Sequence, residues 1–221
     1  MPPVIVAVDG PSGSGKSSVS KGVAQRLGFA YLDTGAMYRA VTWWALHEEI
    51  GVDAVAGRIG QCAILSGTDP AAPTISVDGT DVSEAIRTPE VTAAVSAYSA
   101  VPEVRTALVE QQRRVAAGVA KGLVAEGRDL GTVVFPDADL KVYLTADVAA
   151  RAQRRAAENA QRGHNSDVGD THQSLTARDA ADSGRAVSPL QVADDAVEVD
   201  ATHLTLAEVI DHVTALVKAR T

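Results

Sequence analysis

The sequence predicts an α/β fold: a five-stranded parallel sheet flanked by helices. Three observations point to it. Short apolar, often β-branched runs return along the chain, helical periodicity fills most of the intervals between them, and a glycine-rich turn follows the first run directly. Such continuous runs, rather than alternating ones, are expected of strands buried on both faces.

Taken in order, Val4 to Val8 is the first strand. A helix follows from about Gly15 to Leu27, with Val19, Val23, Ala24 and Leu27 on one side and Gly28 as its stop. Phe29 to Leu32 is the second strand, and a second helix starts near Gly35. The rhythm then changes. Thr74-Ile75-Ser76-Val77, Asp78-Gly79 and Thr80-Asp81-Val82 alternate around an Asp-Gly turn, the pattern of a β-hairpin, so an antiparallel insert is expected over about 63–96. Parallel strands resume at Gly122 to Ala125 and Leu140 to Leu144, with a weaker one at Ala196 to Val199. Arg162 to Ser174 carries Gly, Asn, Asp and His with few apolar residues and no period, which predicts a mobile loop over a site. A last helix begins at Thr205, where Thr205 and Glu208 have capping-box spacing and Val209, Val213, Leu216 and Val217 form one apolar side.

The 221 residues suit one main domain with a smaller insert, and 46% hydrophobic with 22% charged residues is the balance of a globular chain rather than a disordered or fibrous one. The single cysteine, Cys62, excludes an internal disulfide and a cysteine-based zinc site and suits a reducing cytoplasm. No apolar run approaches the roughly 18 to 20 residues of a membrane span, so neither secretion nor insertion is expected. A net charge of −8 disfavours broad attraction to nucleic acid. It leaves room for a small anion held by locally clustered arginines.

Gly10-Pro11-Ser12-Gly13-Ser14-Gly15-Lys16-Ser17 fits G-x-x-x-x-G-K-[ST] completely. In that pattern glycines let successive backbone N–H groups turn inward around a phosphate, and the positive end of the following helix adds to the attraction. Lys16 can reach the outer phosphates and the Ser17 hydroxyl can ligate magnesium. The loop alone does not separate kinases from GTPases, transport ATPases and motors. The guanine-reading Asn-Lys-x-Asp is absent, and the chain's size with its polar stretch favours a small kinase that closes over two substrates.

Three further clusters fall where such a kinase needs them. Asp33-Thr34-Gly35-Ala36-Met37-Tyr38-Arg39 and Glu126-Gly127-Arg128-Asp129 each follow a strand, at the carboxyl edge of the sheet. Arg178-Asp179-Ala180-Ala181-Asp182-Ser183-Gly184-Arg185 puts Arg178 and Asp182 on one helix face with Arg185 a turn further. A triphosphate and a monophosphate together bring about six negative charges, and in-line transfer adds charge on the equatorial oxygens. Guanidinium groups, which grip phosphate through paired hydrogen bonds, are suited to that load.

The succession GPSGSGKSS, YLDTGAMYR, VSEAIRTPEV, AEGRDLGTVVFPDA and RDAADSGRAVSPL resembles the bacterial cytidylate kinases, in family order, from near residue 4 to about residue 200. The resemblance implies a P-loop, nucleoside monophosphate kinase-like fold with core segments 1–33, 97–161 and 186–221, a monophosphate-binding part at about 34–96 that contains the hairpin insert, and a short lid at about 162–185. It implies transfer of the γ-phosphoryl group of ATP to CMP or dCMP with Mg2+ as cofactor; a monomer in the cytoplasm is expected beside it. By matched position, Thr34, Arg105 and Asp129 read the cytosine. Ser96, Arg178 and Asp182 lie near the sugar, and Arg39, Arg128 and Arg185 hold the acceptor and transferred phosphates. Gly10, Pro11, Ser12, Gly13, Ser14, Gly15, Lys16, Ser17 and Ser18 bind ATP, joined by Arg151 and Arg155, with Lys16, Arg128 and Arg185 the catalytic cations. Two other readings stay open at this point. One is a P-loop kinase for a uridine- or shikimate-type hydroxyl acceptor, and the other a nucleotide switch without transferase activity.

Overall fold

A computed structural model describes residues 2–161, 167–185 and 187–220. Five parallel strands form the main sheet in the order β2-β6-β1-β7-β8: β1 Val4–Asp9, β2 Ala30–Asp33, β6 Gly122–Glu126, β7 Leu140–Thr145 and β8 Val197–Asp200. A second, three-stranded antiparallel sheet holds β3 Ile64–Ser66, β4 Ile75–Val77 and β5 Thr80–Asp81. β1 is central, so the turn after it opens at the sheet's carboxyl edge with strands on both sides, the position where α/β sheets bind ligands.

The sheet residues alternate between two cores. Val6, Val8, Tyr31, Val124 and Val142 pack towards α1 Lys16–Leu27 and α8 Leu206–Lys218, while Ala7, Leu32, Leu123 and Ala125 face α2 Thr34–His47, α4 Pro89–Ser99 and α5 Pro102–Gly118. Register brings Val8 and Asp33 opposite Glu126, so the acids that end β1, β2 and β6 collect at one edge. Local signals start and stop the helices. Gly28, in the left-handed region at φ 64°, ends α1; Asp33 Oδ1 accepts the Ala36 N–H at 2.8 Å to start α2; and Thr205 and Glu208 form the expected capping box of α8. α3, Val52–Val55, is a single turn.

Two expectations are corrected. The antiparallel strands end at Asp81, and much of the remainder of 63–96 is helical, because Thr88 caps the Val91 N–H and Pro89 pre-sets the first turn of α4. The polar stretch over 162–174 is not a loop throughout. Arg162 to Ser166 lie outside the described residues, but from Val168 the chain is helical: α7, Val168–Ser183, is capped by Asp167 and packs on α6, Val148–Gln161. Its inward positions Thr171, Leu175 and Asp182 are buried. Two of these three are polar, so no apolar period marks the helix in the sequence.

Candidate active site

The turn between β1 and α1 is built for close backbone approach. Gly10 sits at φ +146°, and a Cβ there would lie 2.1 Å from the Leu144 carbonyl oxygen of β7, so no side chain fits. Gly13 and Gly15 are also in the left-handed half of φ. Lys16 is buried and donates from Nζ to the Gly10 and Pro11 carbonyls at 2.8 and 2.7 Å. Burial, reinforced by Arg128, lowers its pKa. The Ser17 hydroxyl donates to Glu126 Oε2 at 3.0 Å, and Tyr31 donates its hydroxyl to Oε1 of the same carboxylate. Burial raises Glu126 above the usual carboxylate range, with Asp33 adding to it. Asp9, also buried, accepts from Leu130 N and Gly131 N at 2.9 and 2.8 Å. Burial raises it to about 6 despite those two bonds.

One cleft of about 480 Å³, within the usual range of ligand sites, runs from this turn across the sheet edge. Ser12, Gly13, Ser14, Gly15, Lys16, Ser17 and Ser18 line it, together with Arg155 from α6. Its other wall carries Thr34, Arg39, Ser96, Arg105, Arg128, Asp129, Arg178, Asp182 and Arg185. Residues far apart in sequence therefore meet. Gly10 and Pro11 form the base of the turn behind this lining. Arg151 is not in the wall either. It is buried, with Nε on the Ala146 carbonyl and Nη1 shared between the Ser12 carbonyl at 3.0 Å and Asp179 Oδ2 at 2.5 Å. Expected to close on ATP beside Arg155, it instead braces the turn from behind, because those two acceptors draw its guanidinium inward.

At the far wall, Arg105 is enclosed. Nη2 meets Asp129 Oδ2 at 2.5 Å, Nη1 donates to the Ser99 carbonyl at 3.0 Å, and the Tyr38 ring lies 5.1 Å from the guanidinium carbon. Thr34 donates its hydroxyl to the Glu126 carbonyl at 2.7 Å. Its proton is thereby committed and only its lone pairs remain. Gly127 is required beside it, since a Cβ there would come within 2.8 Å of Thr34 Oγ1. Asp182 bridges two cations, accepting from Arg128 Nε at 2.9 Å and from Arg185. It reaches across to Arg128 rather than along the helix to Arg178.

Arg39 and Arg178 are placed differently. Arg39 donates to the Ile86 carbonyl and Thr92 Oγ1, and Arg178 makes a long contact of 3.4 Å to Ser12 Oγ, its Nε having no hydrogen-bond partner among the described residues. Burial, then the neighbouring arginines, pushes Arg39 down to about 9 and Arg178 to about 10. Converging, partly desolvated guanidinium groups of this kind mark an anion site.

A profile of the family described as "Cytidylate kinase" matches residues 6–219. The chain belongs to the cytidylate kinase family. Among its relatives, the cytidylate kinase of Streptomyces avermitilis is 57% identical over 100% of this chain and 95% of its own length, and that of Streptomyces griseus 58% identical over 98% and 94%. The crystal structure of an uncharacterized protein from Eubacterium ventriosum, 12% identical with a TM-score of 0.53 over 98% of this chain and 99% of that one, shares the fold. For this family member the structure also adds wall residues that sequence reasoning missed. Arg154 lines the cleft and donates to the Ala201 carbonyl at 2.5 Å, and Ala157, Leu204 and Leu206 join it. The close spacing of Arg151, Arg154 and Arg155 was the available signal for Arg154; nothing local marked the 201–209 segment.

Proposed function

We propose that this chain transfers the γ-phosphoryl group of ATP to CMP or dCMP, giving ADP and CDP or dCDP. The observation that carries this reading is the meeting, in one cleft, of a phosphate-binding turn with arginines from α2, α5, α6, α7 and the turn after β6, one of them in a buried carboxylate–guanidinium pair. ATP would lie with its phosphates along Gly13 to Ser18 and its base towards Arg154, Leu204 and Leu206, where a planar ring can stack on apolar groups and a guanidinium. The acceptor phosphate falls to Arg39, Arg128 and Arg185, and the pyrimidine to Thr34, Arg105 and Asp129. Thr34 Oγ1 can only accept, and so can an ionised Asp129; both match the exocyclic amine of cytosine and leave the carbonyl of uracil unmatched. Ser96 and Asp182 would contact the sugar, with Arg178 between sugar and phosphates.

Phosphoryl transfer depends on alignment and charge stabilisation more than on covalent work by the protein. Lys16, swung from the loop carbonyls to the outer phosphates, with Arg128 and Arg185, would stabilise the transferring group. Mg2+ suits the donor set at the turn, since a hydroxyl and a carboxylate oxygen lie together at Ser17 and Glu126. When bound it would neutralise charge between the β and γ phosphates. Among the described residues no group of three or more His, Cys, Asp or Glu side chains is arranged for a metal ion. We extend the proposal to a monomer acting in the cytoplasm, where ATP and CMP are supplied. No helix among the described residues is long and apolar enough to cross a membrane.

A uridine-type hydroxyl acceptor brings no charge for the acceptor-side arginines to meet and a shikimate-type one only a single carboxylate for Arg39, Arg128, Arg178 and Arg185, while a switch has no use for a second anion pocket. A coupled assay with CMP, dCMP, UMP and AMP tests the reading. Turnover should be highest with CMP or dCMP, and strong turnover of AMP with none of CMP would refute it.

A further inference from the structure

Tyr31 is not in the cleft wall, yet it touches the chemistry at one remove. Its side chain is buried on the α1 face of the sheet, and its hydroxyl donates to Oε1 of Glu126 while Ser17 donates to Oε2. A serine hydroxyl has one proton and two lone pairs and turns freely. It offers a lone pair to a cation only when its proton is held elsewhere, and here the holder is Glu126. A glutamate carboxylate rotates about a broad, roughly two-fold torsion, so one fixed hydrogen bond to it sets the direction of the other oxygen. Tyr31 supplies that bond from a rigid strand: β2 pairs with β6 in register, Tyr31 opposite Val124 and Asp33 opposite Glu126, and the Tyr31 N–H is tied to the Thr68 carbonyl at 2.9 Å.

We propose that Tyr31 is a positioning residue for the phosphoryl-donor site: it fixes the Glu126 carboxylate so that Ser17 keeps its proton on Glu126 and turns its lone pairs to the Mg2+ that accompanies ATP. The inference rests on the reading of the turn as a Mg·ATP site, and it concerns a tyrosine and a glutamate that neither the motif nor the matched positions assign. A role in packing alone would weaken nucleotide binding equally with and without metal, whereas positioning acts only when metal is bound.

The test is the affinity for ATP by calorimetry, without acceptor, in excess Mg2+ and again in EDTA. The variants are Tyr31→Phe, Glu126→Gln and their double, with thermal melts to check folding. Tyr31→Phe keeps the ring and removes only the hydroxyl. It should weaken Mg·ATP binding about fivefold to tenfold, the size of one ordinary hydrogen bond, since the lost bond acts on the cation only through Glu126, and leave ATP binding in EDTA unchanged within about twofold. Glu126→Gln should lose at least as much, and the double variant no more than Glu126→Gln, because the tyrosine acts only through the glutamate. An unchanged ratio of the two affinities in Tyr31→Phe overturns the inference, as do losses that add in the double variant. Should Tyr31→Phe fold poorly, the Mg2+ concentration that half-saturates ATP binding in Tyr31→Met, which also lacks the hydroxyl, decides instead, and a value equal to the parent's overturns it. A parent protein that binds ATP no better with Mg2+ than without would refute the donor-site reading itself, a separate and recognisable failure.

Discussion

Asp129→Asn probes acceptor recognition more cleanly than removal of the side chain would. Arg105 and Asp129 are 3% and 5% exposed in their side chains, 2.5 Å apart, with the Tyr38 ring covering the guanidinium. Asp129→Ala would strand a buried cation at about 3–5 kcal/mol. At about 2–4 °C per kcal/mol for a chain of this size, that would confuse a folding loss with a binding loss. Asparagine keeps one carbonyl oxygen for Arg105 Nη2, so the folding cost should shrink to about 1–2 kcal/mol, the part of the bond that its charge supplied. The site then loses a charged acceptor for the cytosine amine. We expect kcat/KM for CMP to fall about tenfold to a hundredfold, corresponding to about 1.4–3 kcal/mol. UMP should fall less or rise, because an amide N–H can meet its carbonyl. The KM for ATP should not change. Coupled ADP-release assays with CMP and UMP at saturating ATP, and with ATP at saturating CMP, read these quantities. Equal losses for CMP and UMP, or an ATP KM that rises in step with them, would refute the assignment of Asp129 to the base.

Three other outcomes follow from the same structure. Lys16→Ala should cut turnover with every acceptor by about two orders of magnitude or more, as loss of a preorganised cation at the transferring group does; activity within a few-fold of the parent would remove Lys16 from the mechanism. Gly10→Ala forces a methyl to 2.1 Å from the Leu144 carbonyl at a φ of +146°, so melting temperature and ATP binding should both drop, and parent-like values would mean the turn is not packed against β7 as described. Asp9 gives a pH signature. Its carboxyl rises from an ordinary 3.8 to about 6, so the folded state holds its proton more tightly than the unfolded chain does, and the stability this contributes at low pH is lost as pH rises through about 4 to 6. The rise corresponds to about 3 kcal/mol, so melts of Asp9→Asn should gain on the parent by up to that amount between pH 4 and 6, and a constant offset would sink the claim.

What was legible in the sequence was local or strictly periodic. The phosphate turn occupies eight consecutive residues, the β1, β6 and β7 runs are apolar because both faces are covered, and the α8 capping box spans four residues, so each carried its own signal. α7 did not. Its inward side carries Thr171, Arg178 and Asp182 because it faces a charged cleft as much as a core, and a polar inward face erases the period that marks a helix. The arginines of α6 are placed by contacts that their spacing does not show. Helical spacing pairs Arg151 with Arg155, but Asp179 and the Ser12 carbonyl hold Arg151 behind the turn while Arg154 and Arg155 line the cleft. The Ser17–Glu126–Tyr31 contact joins three elements, and no spacing rule anticipates it.

Among the arginines in and behind the cleft two kinds stand apart, and the division predicts how stability and binding trade against each other. Arg105, Arg128, Arg151 and Arg185 each meet a carboxylate, which offsets the cost of burying them and fixes their forks. Among the described residues, Arg39 and Arg178 have no carboxylate in ion-pair contact, and each is pushed down by burial and by other arginines. An incoming phosphate gains most where the positive charge is least compensated, so these two should contribute more to ligand affinity than to the fold. Arg178→Met, which keeps the stem of the side chain, removes a guanidinium that burial and the neighbouring Arg128 hold well below its ordinary pKa, at about 10. The cost of burying that charge is present in full at neutral pH, well below the lowered pKa, so the variant should gain about 1–3 kcal/mol at pH 7. The melting temperature should rise by several degrees while ligand affinity falls at least tenfold. A variant that melts lower than the parent, or that binds ATP and CMP as tightly, would mean that Arg178 is a strut of the fold and not a reserve of charge for phosphate.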